Sequence, residues 1–418
     1  MGAALPWLAA ARYARTRERG RRPPLACRRR AQPACGRPLG GDRPADGRPG
    51  RPGAQSPAQP ADHALVKDPS LGAAIPCSPG SGVGRRRLRR AAFLAAGFLL
   101  AAVGSGGGFL AGIGARRRSA EGRDAVRRPL PAGARLRFAY PEAGLPARPV
   151  LRWKERAGWG YTSCWLKLPV TTPGHPPHVA QVVSYRSSVP GRRPAVLVSP
   201  ILGGDYALAG FAAAALARRG YHAAVVLRSQ SALPEDEPPA ALADVWRTAV
   251  IDRRRALDWL CARDDVDSER IGALGASLGG VSTVALAAVD SRVRALAVLF
   301  AGGDLPSVLL ASEEPRVRRY VRAQKARGLT PSELTAALRR SLAPGILHLA
   351  ESLDPACVLF VAARRDRVVP YRTQERLWES LGRPERIDLP TGHYGAVLYA
   401  PYLLDAVAEF FARRLNPR

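Results

Sequence analysis

The chemistry of this 418-residue chain is concentrated in one stretch, Arg270-Ile271-Gly272-Ala273-Leu274-Gly275-Ala276-Ser277-Leu278-Gly279-Gly280. An apolar run that reads as a strand gives way to Gly275-x-Ser277-x-Gly279 and then to a helical pattern. A serine on so tight a strand-to-helix turn is held in a strained backbone conformation, with its hydroxyl projecting above the sheet. Glycine is required at 275 and 279 because a β-carbon at either position collides with the turn. The helix that starts here aims its free N–H groups at any negative charge developing nearby. Such a serine is suited to attack an acyl carbon. It then needs a base to take its proton, an acid to orient that base, and hydrogen-bond donors for the oxyanion.

On a turn of this kind the partners follow in the order serine, acid, histidine. The chain has six histidines, few enough for elimination. His63 lies in low-complexity sequence, His175 and His178 in a Pro-rich loop before the nucleophile, His222 immediately before a strand, and His348 in a helical insert. His393 remains, in the loop Leu389-Pro390-Thr391-Gly392-His393-Tyr394 just past the last strand. Asp366 is the best-placed acid, at the end of the apolar strand 358–363. Asp354, ahead of that strand, and Asp388, within the next one, are the alternatives. For the oxyanion, the Leu278 N–H is one donor by position. The second is expected from Pro200-Ile201-Leu202-Gly203-Gly204. Pro200 has no N–H, which leaves Leu202 as first choice and Ile201 as second.

The elements that must hold these groups alternate in type from about residue 150. An antiparallel pair at 161–168 and 179–185 opens the series. Short apolar strands at 195–199, 223–227, 271–275, 295–300, 358–363 and 385–389 then alternate with helices at 206–219, 240–263, from 277, 374–381 and 401–415. Short apolar strands between helices predict an α/β fold: a doubly wound, mostly parallel sheet covered on both faces. In such sheets the chemistry collects at the C-terminal ends of the strands. The stretch 302–353 reads as a helical lid. Its segment 313–328 carries Arg316, Arg318, Arg319, Arg322 and Lys325, read as a solvated helix face or as a receiver of anionic substrate.

Together these pieces resemble the α/β-hydrolase superfamily, near its dienelactone-hydrolase-like and prolyl-oligopeptidase-like esterase branches. The resemblance rests on Pro200-Ile201-Leu202-Gly203-Gly204, the helix segment Asp252-Arg253-Arg254-Arg255-Ala256-Leu257-Asp258-Trp259-Leu260, the turn from Gly275 to Gly280, Asp366, and Gly392-His393. It implies a serine hydrolase with a Ser277–His393–Asp366 triad that cleaves carboxylic esters of small molecules through an acyl-enzyme. The chain departs from the commoner pattern in having Ser199-Pro200 where many relatives have His-Gly. It also lacks the propeller domain of true prolyl oligopeptidases. An acyltransferase or thioesterase would use the same residues. A non-catalytic, hydrolase-like binding protein is the other alternative, and an intact Ser, Asp and His set argues against it.

The net charge of +30 is unevenly spread. About 22 Lys/Arg against about 5 Asp/Glu fall in residues 1–118, and the rest of the chain is only mildly basic. The charge is therefore not a nucleic-acid-binding signature of the main domain. Residues 1–84, rich in Arg, Pro, Gly and Ala, read as a disordered arm. Residues 85–118 read as a signal peptide or single transmembrane anchor, in which an uncharged run at 91–115 lies between arginine blocks. The heavier block precedes the run, which favours a catalytic domain outside the cytoplasm, membrane-anchored or secreted. Residues 119–149 read as a linker and 150–418 as the catalytic domain. The six cysteines show no CxxC or metal-ligand spacing, so neither a disulfide framework nor a cofactor is expected.

Overall fold

The computed structural model describes residues 114–416 apart from 122–126, 141–150, 173–174, 203–205 and 229. The arm at 1–84, nearly all of the apolar run at 91–115, and Gly203 and Gly204 lie outside the described residues.

Ten strands form one sheet: β1 (Arg116–Arg118), β2 (Leu151–Gly158), β3 (Tyr161–Thr172), β4 (His175–Ser187), β5 (Arg193–Ser199), β6 (His222–Val226), β7 (Val266–Ala276), β8 (Val293–Leu299), β9 (Val358–Ala363) and β10 (Glu385–Leu389). The helices are α1 (Ala134–Arg137), α2 (Ala207–Arg218), α3 (Leu242–Cys261), α4 (Leu278–Val289), α5 (Leu305–Ala311), α6 (Pro315–Ala326), α7 (Pro331–Ser341), α8 (Ile346–Ala350), α9 (Tyr371–Ser380) and α10 (Ala400–Leu415). The strand order is β1-β10-β9-β8-β7-β5-β6-β4-β3-β2. The central run from β10 to β6 is parallel, and antiparallel strands close both edges.

Strands such as Val358-Leu359-Phe360-Val361-Ala362-Ala363 are buried at every position, because a parallel sheet needs cover on both faces. One face packs under Ala213 and Leu216 of α2 and Val407, Phe410 and Phe411 of α10. The other packs under Trp246, Ile251 and Leu257 of α3, Val281 and Val284 of α4, and Leu377 of α9. The sheet is thus doubly wound, as the alternation predicts. Among the described residues one helical stretch, Gly395–Leu415, is long and apolar enough to cross a membrane by length and composition, and 39% of its most apolar 18-residue window is buried inside the protein. Its inward side, Leu403, Ala406, Val407, Phe410 and Phe411, makes it a core helix of the sheet.

Two local readings change. Arg116–Arg118, read as the basic flank of the apolar run, is an edge strand paired with β10, and Arg117 reaches Glu385 at 2.7 Å. His175 and His178 are not in a loop but open β4. Pro176 and Pro177 suggested a loop. Here they sit where β4 pairs with β3 alone and β6 has not yet joined, so their missing N–H groups interrupt no ladder on that side. His178 Nε2 lies 2.6 Å from the buried Asp252 carboxylate.

His222 opens β6 at 3% exposure. Its Nδ1 accepts the Ser187 N–H at 3.1 Å and its Nε2 faces the Asp265 carbonyl oxygen at 3.1 Å, which fixes the neutral tautomer with the proton on Nε2. Burial lowers its pKa from the ordinary 6.5, against the attraction of Asp265 and with the repulsion of Arg263 and Arg186. The unfolded chain therefore binds the proton first as pH falls, and stability is lost as pH drops through about 6.5. We expect the stability advantage of wild type over His222→Gln to shrink between pH 7.5 and pH 5 in thermal unfolding. An advantage that stays constant or grows contradicts this tautomer.

Candidate active site

Ser277 follows β7 and immediately precedes α4, with φ 54° and ψ −124°, a region that side-chain-bearing residues rarely enter. The strain is held in place by close packing. A β-carbon at Gly275 would stand 2.2 Å from the Gly279 carbonyl oxygen, and one at Gly279 2.2 Å from that of Ser199. The Ser277 N–H donates to the Leu299 carbonyl at 2.8 Å, tying the turn to the end of β8. Ser277 is 7% exposed.

Asp366 follows β9 and its side chain is fully buried. Its Oδ1 accepts the N–H groups of Val368 and Val369, each at 2.8 Å. Its Oδ2 accepts from Gln374 Nε2 at 3.1 Å and lies 2.7 Å from His393 Nδ1. With those donors around it the carboxylate is the acceptor, so the imidazole carries its proton on Nδ1 and leaves Nε2 bare. The imidazole meets the Phe300 ring edge-on at 6.3 Å and the Tyr394 ring at 5.6 Å. The Tyr394 hydroxyl in turn bonds Glu314, just ahead of α6.

Ser277, Phe300, Asp366 and His393 thus follow four adjacent strands, β7, β8, β9 and β10, at their C-terminal ends. Asp366 and His393 are joined directly. Phe300 links Ser277 to that pair: the carbonyl before it takes the Ser277 N–H, and its ring meets the imidazole. No hydrogen bond joins the Ser277 hydroxyl to the imidazole among the described residues; in resting enzymes such contacts are often long and tighten as substrate binds. The two alternative acids are engaged elsewhere. Asp354 accepts the Ala356 N–H at 2.9 Å and pairs with Arg127, and Asp388 pairs with Arg386 at 2.7 Å.

Leu278 opens α4, which places its N–H at the helix start. Ile201 and Leu202 follow β5, and each of their carbonyl oxygens accepts from the Arg228 guanidinium at 2.7 Å. Ser199, at the departure from the common pattern, has a structural use. Its Oγ accepts from Arg253 Nε at 2.9 Å and from Thr283 Oγ1 at 3.2 Å, bonding β5 to α3 and α4. Burial pushes the Arg253 guanidinium down to about 10, opposed by Asp252 and helped by Arg228. A hollow of about 550 Å³ at the opposite end of the strands, lined in part by Arg186, His222 and Asp265, holds none of these residues. No group of His, Cys, Asp and Glu able to hold a metal occurs among the described residues.

No protein-family model matches this chain, and no curated protein sequence does. Solved structures do. The acetyl xylan esterase from Paenibacillus sp. R4 matches 70% of this chain and 98% of its own length, with a TM-score of 0.50 and 17% identity. The chain has the α/β-hydrolase fold. Also matched is acetyl xylan esterase 1 from Thermoanaerobacterium sp. JW/SL YS485, which covers 68% of this chain and 96% of its own, with TM-score 0.49 and 17% identity. The α/β hydrolase GrgF from Penicillium sp. sh18 covers 60% and 99%, with TM-score 0.42 and 17% identity. At these identities the likeness is one of fold.

The sequence reading gave no role to three residues near the site: Arg228, Arg253 and Gln374. Gln374 is fully buried, donates also to the Val369 carbonyl at 2.7 Å, and accepts the Ala363 N–H at 3.1 Å. It shares the inward face of α9 with Thr373, Leu377 and Trp378. A glutamine on the inward stripe of a helix, beside Leu377 and Trp378 and eight residues after an acid, was the available signal. We expect Gln374→Leu to let the Asp366 carboxylate shift and to lower kcat by roughly 10- to 100-fold with little change in KM. Steady-state kinetics on an ester substrate, with circular dichroism as a folding control, checks this; an unchanged kcat contradicts it.

Proposed function

We propose that this chain hydrolyses carboxylic esters of small molecules, with Ser277 as nucleophile, His393 as general base and acid, and Asp366 as the group that orients the imidazole. The observation that carries this reading is the 2.7 Å pairing of His393 Nδ1 with the buried, fully bonded Asp366 carboxylate, at the same C-terminal end of the sheet as a serine held at positive φ. The acetyl xylan esterase from Paenibacillus sp. R4, of the same fold, supports it.

The bare Nε2 takes the proton of Ser277 Oγ as that oxygen bonds to the ester carbonyl carbon. The carbonyl π pair moves onto oxygen, and the N–H groups of Leu278 and Leu202 receive the resulting oxyanion, with Ile201 as the second choice for the latter. When the oxyanion collapses, the C–O bond to the alcohol breaks and Nε2 returns the proton to the leaving oxygen. Water, deprotonated by Nε2, then attacks the acyl-enzyme, releasing the acid and restoring Ser277. Asp366 stays ionised throughout and stabilises the imidazolium that forms twice per turnover. The apolar run at 91–115 between its arginine blocks supports a catalytic domain held outside the cytoplasm.

The full chain should cleave short p-nitrophenyl esters, and Ser277→Ala should lower kcat by about 10⁴-fold or more while leaving the fold intact. A panel graded by acyl length will set the substrate range. If Ser277→Ala turns over as fast as wild type, Ser277 is not the nucleophile.

A further inference from the structure

Arg228 lies two residues past β6, outside the groups that would touch substrate, yet its guanidinium is spent on the loop beside the serine. Nη1 donates to the Ile201 carbonyl and Nη2 to the Leu202 carbonyl, each at 2.7 Å, and Arg316 of α6 adds a longer contact to the Leu202 carbonyl at 3.4 Å. Two charge-assisted bonds to consecutive carbonyls fix the orientation of both peptides. In a trans peptide the N–H points opposite to the C=O. The Leu202 N–H, which shares a peptide with the Ile201 carbonyl, is therefore turned away from Arg228.

The strand order says what it is turned toward. β5 lies between β6 and β7. The loop after β5 thus has Arg228, from the β6 side, on one flank and Ser277, from the end of β7, on the other. Away from Arg228 is toward the serine. The preceding peptide runs the other way. The Pro200 carbonyl oxygen lies beside Gly279, 2.9 Å from where a β-carbon there would stand, so the Ile201 N–H of that peptide is directed away from the start of α4. Among the described residues the Leu202 N–H meets no protein acceptor.

We infer that Arg228 is a positioning residue that presents the Leu202 N–H as the second oxyanion donor and disqualifies that of Ile201; this rests on the ester-hydrolase reading of the same site. The cation does more than orient. Its bond to the Ile201 carbonyl polarises the peptide whose other end is the Leu202 N–H, which makes that N–H a stronger donor as charge develops on the substrate oxygen. Burial and the repulsion of Arg316 disfavour the charged guanidinium here, so a neutral residue would sit in this place more cheaply if it only filled space.

The test compares wild type, Ser277→Ala, Arg228→Lys and Arg228→Met as full chains, read by kcat and KM on a p-nitrophenyl ester and by the rate at which a fluorophosphonate labels Ser277. Arg228→Met should lose on the order of 10²-fold in kcat and in labelling rate, with KM within about twofold of wild type. Arg228→Lys, a point charge that cannot fork onto both carbonyls, should fall between the two. Thermal unfolding separates misfolding from misplacement, since the lysine variant retains the charge and most of the packing. If Arg228→Met and Arg228→Lys both keep wild-type kcat, or lose KM in step with kcat, the positioning role is overturned while the hydrolase reading stands. If wild type itself neither turns over ester nor takes the label, the hydrolase reading fails, and this inference with it.

Discussion

The site depends on two backbone segments passing closer than side chains allow. The end of β5 runs against the start of α4, with the Ser199 carbonyl in the space that a β-carbon on Gly279 would need, while Gly275 faces the Gly279 carbonyl from β7. This approach forces Ser277 to φ 54°. It also brings the loop after β5 alongside the serine, where its amides can meet an oxyanion. Strain of this kind costs on the order of 1–3 kcal/mol and persists only where the surroundings over-determine it. Here the Ser277 amide is bonded to β8 and the Ser199 hydroxyl to α3 and α4.

Around that turn, polar groups are fixed by neighbours that carry no chemistry themselves. Asp366 is held by two amides, Gln374 and the imidazole, so the carboxylate cannot rotate without breaking several bonds. The loop after β5 is held by Arg228, and its root by Arg253. An arginine-rich composition that looks like a solvated surface is thus partly spent indoors, on carbonyls and hydroxyls of the site. The start of α6 touches the arrangement at two points: Glu314, just ahead of it, bonds Tyr394, and Arg316 reaches the Leu202 carbonyl. On the same basic face Arg319 pairs with Glu235 at 3.0 Å.

Much of this was legible in the chain. The run 358–363, six apolar residues rich in branched and aromatic types, reads as a strand covered on both sides, and the strand ends that place Asp366 and His393 do bring those two into contact. What was not legible depends on contacts between distant segments. Arg116–Arg118 has no strand-like pattern of its own and becomes a strand only because β10 offers an edge. Pro176-Pro177 looked like a loop because sequence does not say on which side a strand is unpaired. Gln374 and Arg228 carry no motif; their roles exist only once β9 and α9, or β5 and β6, lie side by side. The choice between Leu202 and Ile201 is of the same kind, since it turns on which way a peptide faces.

The central claim is that Ser277, His393 and Asp366 act as one unit at one edge of the sheet. A crystal structure of the full chain after reaction with a fluorophosphonate tests it most directly. The account predicts phosphorus bonded to Ser277 Oγ, the phosphoryl oxygen about 3 Å from the Leu278 and Leu202 amides, and His393 Nε2 within hydrogen-bond reach of the serine oxygen. An adduct on another residue, or one on Ser277 with the imidazole still out of reach, would contradict it.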